Sequence, residues 1–298
     1  MDPRQDNALV TFCGLRSREA LSFGAMYMAA VLERGGMGVR VLLVEDTEEL
    51  VRRFLQDPTP VAAFSITTGL HRYYLSWARA LKRRLEVHTV FGGPHPTYFP
   101  EFIETPYVDA LCTGEGEEAF YEYLRAFMEN HEKAPSAPVQ GFVHRFEGEI
   151  LDGGFRPPVA DLDSLPSPRW ELFYDQNPVL ARHKVKSFLA SRGCPYRCSY
   201  CFNREWLERH RGTGPVVRTR DPYLVVEEIN EVRHRWGARL VWFLDSNLAC
   251  NKKWLYQFLP IYEREVGLPF FCKIRPNVVT EELAARLADA GCTSVGVG

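Results

Sequence analysis

Three cysteines share the run Ser191-Arg-Gly-Cys194-Pro-Tyr-Arg-Cys198-Ser-Tyr-Cys201-Phe-Asn203, at a three-then-two spacing. The other five of the eight cysteines (Cys13, Cys112, Cys250, Cys272 and Cys292) are scattered in or beside apolar segments and read as small buried hydrophobes. Three convergent thiolates can ligate three irons of a cubane cluster, which leaves the fourth iron a coordination position for a substrate. They could instead hold a structural zinc with His183 or His210 as fourth ligand. Zinc sites, however, usually combine two close Cys pairs or a Cys pair with a His pair, and no second pair is present. The spacing favours iron and sulfur.

A second constellation lies upstream: Ser65-Ile-Thr67, then Gly92-Gly93-Pro-His95-Pro-Thr97, then Gly114-Glu115-Gly116-Glu-Glu118. Glycines without Cβ permit close backbone approach to a bulky ligand. The last run also fits G-x-G-x-x-A, the dinucleotide fingerprint. Its three glutamates would repel a pyrophosphate at a helix N-terminus, and it follows the fifth strand instead of opening the domain.

Two alternating βα series must position these residues. Apolar runs at 8–13, 39–44, 61–66, 88–91 and 108–112 alternate with amphipathic segments at 19–34, 48–56, 72–85 and 117–128. That alternation predicts a flavodoxin-like, doubly wound parallel sheet over 8–130, with ligands beyond the carboxyl ends of the strands. Prolines crowd 131–181, which reads as a linker carrying a hairpin that turns at Gly148. From 182 to 298 the alternation resumes, with strands at 185–190, 240–244, 270–274 and 294–297 and helices at 222–236, 252–266 and 281–290. Thr280 is the expected N-cap of the last helix. The thiol loop directly follows the first of these strands, where α/β folds carry chemistry.

Composition narrows the function. The 298 residues carry 36 Lys+Arg against 38 Asp+Glu, a net charge of −2, and 46% are apolar. Such a chain buries a sizeable core, so disorder, a collagen-like repeat and a disulfide mini-protein are excluded. Without Lys/Arg blocks there is no electrostatic footprint for nucleic acid, which is disfavoured as the main partner. No apolar run is long enough to span a bilayer and the N-terminus has no secretory h-region, so a cytoplasmic protein with reduced thiols is expected.

The triplet, with Tyr200 before its last Cys, resembles the signature of the radical S-adenosylmethionine (SAM) superfamily. The resemblance implies a [4Fe-4S] cluster on Cys194, Cys198 and Cys201, whose open iron is chelated by SAM. One electron then cleaves SAM to methionine and a 5′-deoxyadenosyl radical. Tyr200 would flank the adenine, unless it simply packs the loop. Asp245, in Phe243-Leu-Asp245-Ser-Asn247, resembles the position that binds the SAM ammonium group, with helix capping by Asp245 or Asn247 as the competing role. Arg275 and Asn277 either face the same pocket or lie in a solvated loop.

The interval from Ser65 to Gly92, 92 − 65 = 27, resembles the cobalamin-binding fold, in which the nucleotide tail lies between such motifs. The run from Gly92 to Glu118 is similar to the first domain of cobalamin-dependent radical SAM enzymes. Mutase-type cobalamin domains add Asp-x-His-x-x-Gly after the first strand. The matching register here is Glu19-Ala-Leu21-Ser-Phe-Gly24, so leucine replaces the histidine and a base-off cobalt without a His ligand is expected. His95 would be a cobalt or substrate contact, or loop structure.

Cofactor contacts are thus expected at Ser65, Thr67, Gly92, Gly93, Gly114, Glu115, Tyr200 and Asp245. The implied activity is methylation or oxidative cyclisation of an unactivated carbon in a small-molecule substrate, with an electron donor such as flavodoxin or ferredoxin. The alternatives are a cyclase resembling the anaerobic magnesium-protoporphyrin ester cyclase, a radical SAM enzyme with a degenerate cobalamin domain acting on a thioether or tRNA base, and a non-catalytic metal or corrinoid carrier. Barrels of the resembling family have six βα units, and the sequence offers four strands, so a partial (βα)6 barrel truncated at its C-terminal end is expected.

Overall fold

A computed structural model describes residues 8–16 and 21–297. Glu19, where the first helix and the cobalamin register were expected to begin, and Gly298 lie outside them. The chain divides into two compact units, 1–158 with 166–180, and 159–165 with 181–298.

The first unit is built on β1 (Ala8–Leu15), β2 (Gly38–Val44), β3 (Val61–Ser65), β4 (His88–Gly92), β5 (Ala110–Cys112), β6 (Phe142–Phe146) and β7 (Glu149–Asp152), in the spatial order β2-β1-β3-β4-β5-β6-β7. The first five strands are parallel, and their 2-1-3-4-5 order is the flavodoxin-like one, with its switch point between β1 and β3. Helices cover both faces, so the strands are buried and mostly apolar: β2 buries six of its seven residues, Arg40 among them. Phe64 stacks on Phe91 at 4.8 Å within a core that also takes Phe54 and Trp77. Each such aromatic contributes roughly 1.5–3 kcal/mol by burial. Asp46 starts the helix Thr47–Gln56 by accepting from Glu49 N at 2.8 Å.

β5 begins two residues later than the apolar run at 108–112 suggests. Tyr107 takes φ +73°, and the carboxylate of Asp109 turns aside to accept from Thr89 N at 2.8 Å and Thr89 Oγ at 2.9 Å. The hairpin in 131–181 turns through Glu147 (φ +48°) and Gly148 (φ +89°) and pairs with β5 as an edge of the sheet. The rest of that segment is shared between the units. Residues 166–180 return to the first, where Trp170 packs edge-on against Phe23 at 5.6 Å.

The second unit holds β8 (Val185–Phe188), β9 (Ser191–Arg192), β10 (Arg218–Thr219), β11 (Leu240–Phe243), β12 (Phe270–Lys273) and β13 (Cys292–Gly296). β8, β11, β12 and β13 form a parallel sheet in the order β13-β12-β11-β8, as successive strands of a (βα) barrel do. The helices Pro222–Trp236, Lys252–Glu265 and Glu281–Asp289 connect them. Thr280 caps the last of these by accepting from Leu283 N at 3.1 Å. β9 and β10 are a short antiparallel pair flanking the thiol loop. No helix among the described residues is long and apolar enough to cross a membrane.

At the amino ends of β4 and β5, His88 Nε2 bonds the Tyr123 hydroxyl at 2.8 Å, and burial lowers the imidazole from 6.5 to about 4. The folded state therefore resists a proton that the unfolded chain accepts. The stability this confers is complete above pH 6.5 and falls progressively as the pH drops towards 4. Thermal melts are expected to lose up to about 3 kcal/mol over that window, and His88→Gln should flatten the dependence.

Candidate functional site

In the first unit the strand ends are knitted by backbone and hydroxyl groups. Ser65 pairs with Gly92 across β3 and β4, and Ile66 N donates to Gly92 O at 2.8 Å. His95 N donates to Ile66 O at 3.2 Å. Thr97 Oγ donates to Gly93 O at 2.8 Å and accepts from Gly114 N at 3.0 Å, which joins β4 to the turn after β5. Gly93 sits at φ +95°, where an added Cβ would lie 2.8 Å from Ile66 O, so only glycine fits. Ser65, Gly92, Gly93 and Gly114 thus meet at one edge. Glu115 stands in the turn before the helix Glu117–Glu129.

A cavity of about 470 Å³ opens at this edge, lined by Phe12, Leu21, Phe23 and Leu43 together with the hydroxyl-bearing Ser65 and Thr67. A largely apolar slot that also carries the hydroxyls of Ser22, Ser65, Thr67 and Tyr74 suits an aromatic group on a polar tether, as the nucleotide tail of cobalamin is. Leu21, at the position of the missing histidine, is part of its wall. His95 stacks on His71 with ring centroids 4.1 Å apart and bonds Thr68 Oγ through Nδ1 at 3.1 Å. Burial and the neighbouring imidazole hold His95 below its usual value.

In the second unit the thiol loop leaves β8 through β9. Gly193, at φ +91°, brings its backbone so close to the segment leading into β10 that a Cβ would lie 1.9 Å from Val216 O. Asp245, 1% exposed at the end of β11, accepts hydrogen bonds from Ala190 N at 3.2 Å and from the Ser191 hydroxyl. Burial pushes its carboxyl above the usual range, partly offset by those hydrogen bonds. Asn247 caps the short 3-10 turn Leu248–Cys250 by accepting from Ala249 N at 3.2 Å.

Cys194 is buried, and Cys198 and Cys201 are half-buried in a turn closed by Cys201 N donating to Cys198 O at 3.1 Å. Tyr200 is 83% exposed. Among the described residues no three His, Cys, Asp or Glu side chains stand together as a metal cage. The donor set itself fits an iron–sulfur cluster: three thiols on one loop, with the Arg275 guanidinium on the Cys198 sulfur at 3.3 Å. His183 Nδ1 faces Val185 O, and His210 stacks on Trp206 at 4.0 Å with Nδ1 towards Trp206 O.

One thiol read as a buried hydrophobe belongs to this region. Cys250 shares a hydrogen bond with Cys194, and burial followed by that neighbour pushes it up to about 12. Its place five residues after Asp245, on the loop closing the second barrel strand, was the available signal. Cys13 and Cys112 are buried in the first unit, as expected, with thiols pushed up to about 12.

Fold and sites together define an α/β chain that joins a corrinoid-type sheet to a thiol-bearing (βα) barrel. Family models agree: residues 17–124 match the B12 binding domain and residues 188–298 match the Radical SAM superfamily. The chain thus carries a B12 binding domain followed by a radical SAM domain. It is 27% identical over 261 residues to an uncharacterized methyltransferase of Pyrococcus horikoshii, covering 86% of this chain and 54% of the relative. It is 25% identical over 288 residues to the anaerobic magnesium-protoporphyrin IX monomethyl ester cyclase of Rubrivivax gelatinosus, covering 91% and 50%. The chain therefore spans about half the length of these curated relatives. Its fold matches the radical SAM methyltransferase TsrM of Kitasatospora setae, solved with cobalamin and a [4Fe-4S] cluster bound, with a TM-score of 0.77 and 19% identity, over 98% of this chain and 59% of that one.

Two substitutions test the two edges. Gly93→Ala should cost about 1–3 kcal/mol of stability, read from the urea midpoint. Asp245→Ala strips the buried Ala190 N–H of its acceptor and should cost a similar ~1–3 kcal/mol.

Proposed function

We propose that this chain serves a radical SAM enzyme that reductively cleaves S-adenosylmethionine at a [4Fe-4S] cluster on Cys194, Cys198 and Cys201. With cobalamin, the enzyme methylates or oxidatively cyclises an unactivated carbon of a small molecule. The observation that carries this reading is the three-thiol loop anchored at the carboxyl end of β8 by the buried Asp245. When bound, the cluster supplies the electron for SAM cleavage, and cobalamin supplies the methyl-transfer or ring-forming chemistry.

The chain's own residues bind and orient. The thiolates of Cys194, Cys198 and Cys201 ligate iron, and the exposed face of Tyr200 is free to stack on an adenine. Asp245 has both carboxylate oxygens engaged beneath the loop, so its role in this reading is to fix the loop rather than to meet the SAM ammonium group. Ser65 and Thr67 would hold the nucleotide tail in the apolar cavity they line, while Gly92, Gly93, Gly114 and Glu115, at the neighbouring strand ends, would contact the cofactor beside it. Leu21 offers no nitrogen, so a bound cobalamin would receive no histidine from that motif and would be held base-off. A flavodoxin or ferredoxin delivers the electron in a reducing compartment such as the cytoplasm. The cyclisation branch is supported by the similarity to the Rubrivivax cyclase along 91% of the chain.

Anaerobic reconstitution should give about four irons per chain and reductant-dependent cleavage of SAM, with corrinoid bound stoichiometrically. One zinc and no SAM cleavage would sink the proposal. Cys198→Ala should abolish the cluster absorbance.

A further inference from the structure

Arg275 follows β12, seventy-seven residues from the cysteine it touches: its Nη1 donates to Cys198 Sγ at 3.3 Å. The same guanidinium lies over the Tyr196 ring, 4.0 Å from the centroid, and Asn277 Nδ2 donates to the Tyr196 hydroxyl at 3.4 Å. Tyr196 and Cys198 occupy the stretch between the first and last thiols, so the end of the third barrel strand grips the middle of the ligand loop by two side chains. A solvated loop would give neither contact.

We propose that Arg275 is a positioning residue for Cys198 which, through its charge on that sulfur, also raises the reduction potential of the cluster. The inference rests on the proposed cluster at Cys194, Cys198 and Cys201. Reduction adds negative charge to an iron–sulfur cluster, and the protein sets its potential through hydrogen bonds to sulfur, net charge and exposure. A guanidinium donating to one ligating sulfur favours the reduced form. Arginine is suited to the place because its planar face stacks on an aromatic ring while its edge donates. The ammonium of lysine is a point charge that cannot do both.

The test is the midpoint potential of the anaerobically reconstituted chain, followed by EPR during a redox titration, with iron and sulfide counted alongside. Arg275→Met should retain its iron and move the midpoint to a more negative potential. Arg275→Lys, which keeps the charge and loses the stack, should fall between it and the parent. Tyr196→Leu should keep the charge near Cys198 but loosen the loop, retaining less iron after desalting. An Arg275→Met chain with a full cluster at the parent potential overturns the proposal. If that variant fails to fold or to take up iron, a parent potential in Arg275→Lys overturns it instead. A parent chain that takes up no iron fails the underlying cluster reading as well. A parent cluster with unshifted variants fails this inference alone.

Discussion

A buried carboxylate between two barrel strands is the constraint on which the thiol loop depends. Asp245 closes β11, yet its oxygens are spent on the end of β8, taking Ala190 N and the Ser191 hydroxyl. Burying a carboxylate is costly unless hydrogen bonds replace its water, and those it accepts are of the strong, charge-assisted kind when it is ionised. The interaction therefore favours one arrangement of the two strand ends. From that fixed point the backbone enters the loop at Gly193, pressed against Val216 O, and the loop's middle is met by Arg275 from the next strand along. Three consecutive barrel strands thus converge on a segment that has almost no regular structure of its own.

The first unit reaches a comparable edge by other means. Its strand ends are joined through main-chain groups and the Thr97 hydroxyl, and no charged side chain takes part in the chain of bonds from Ile66 to Gly114. The difference suits the ligands implied for each unit. A large, mostly apolar corrinoid needs an open, glycine-lined surface and a dry slot, which charged groups would spoil. An anionic cluster needs sulfur donors held in register and positive charge near them.

Much of this was legible along the chain. The apolar runs located β1 to β4 to within two residues at either end, because helices on both faces make parallel strands continuously hydrophobic. The interval between Ser65 and Gly92 is one βα unit, and the register pairs those two residues directly. The three thiols were plain from their spacing. The environment of each side chain was not. Asp245 could be placed at a strand end, but whether it faced solvent, a ligand or the neighbouring strand depended on β8 and β11 being adjacent. Cys250 looked like any solitary apolar cysteine until the second strand's loop folded it against Cys194. Arg275 was marked only by its place after the third barrel strand, and the choice between pocket and solvated loop stayed open because its partners lie far away in sequence. The proline-rich segment reads as a connector by composition, whereas its hairpin finds unsatisfied backbone groups on β5 and completes the sheet edge there.

The strand order of the first unit has a consequence for synthesis. β1 is an interior strand of the sheet, paired on one side with β2 and on the other with β3. A chain made from its amino end therefore exposes this almost wholly apolar strand with both hydrogen-bonding edges bare until β2 has followed, and with one edge bare until Ser65 has been added. Translation at about 5–20 residues per second leaves that edge open for several seconds, long compared with hydrophobic collapse. During that interval the nascent chain is a candidate for chaperone capture, and slow codons between β2 and β3 would lengthen it.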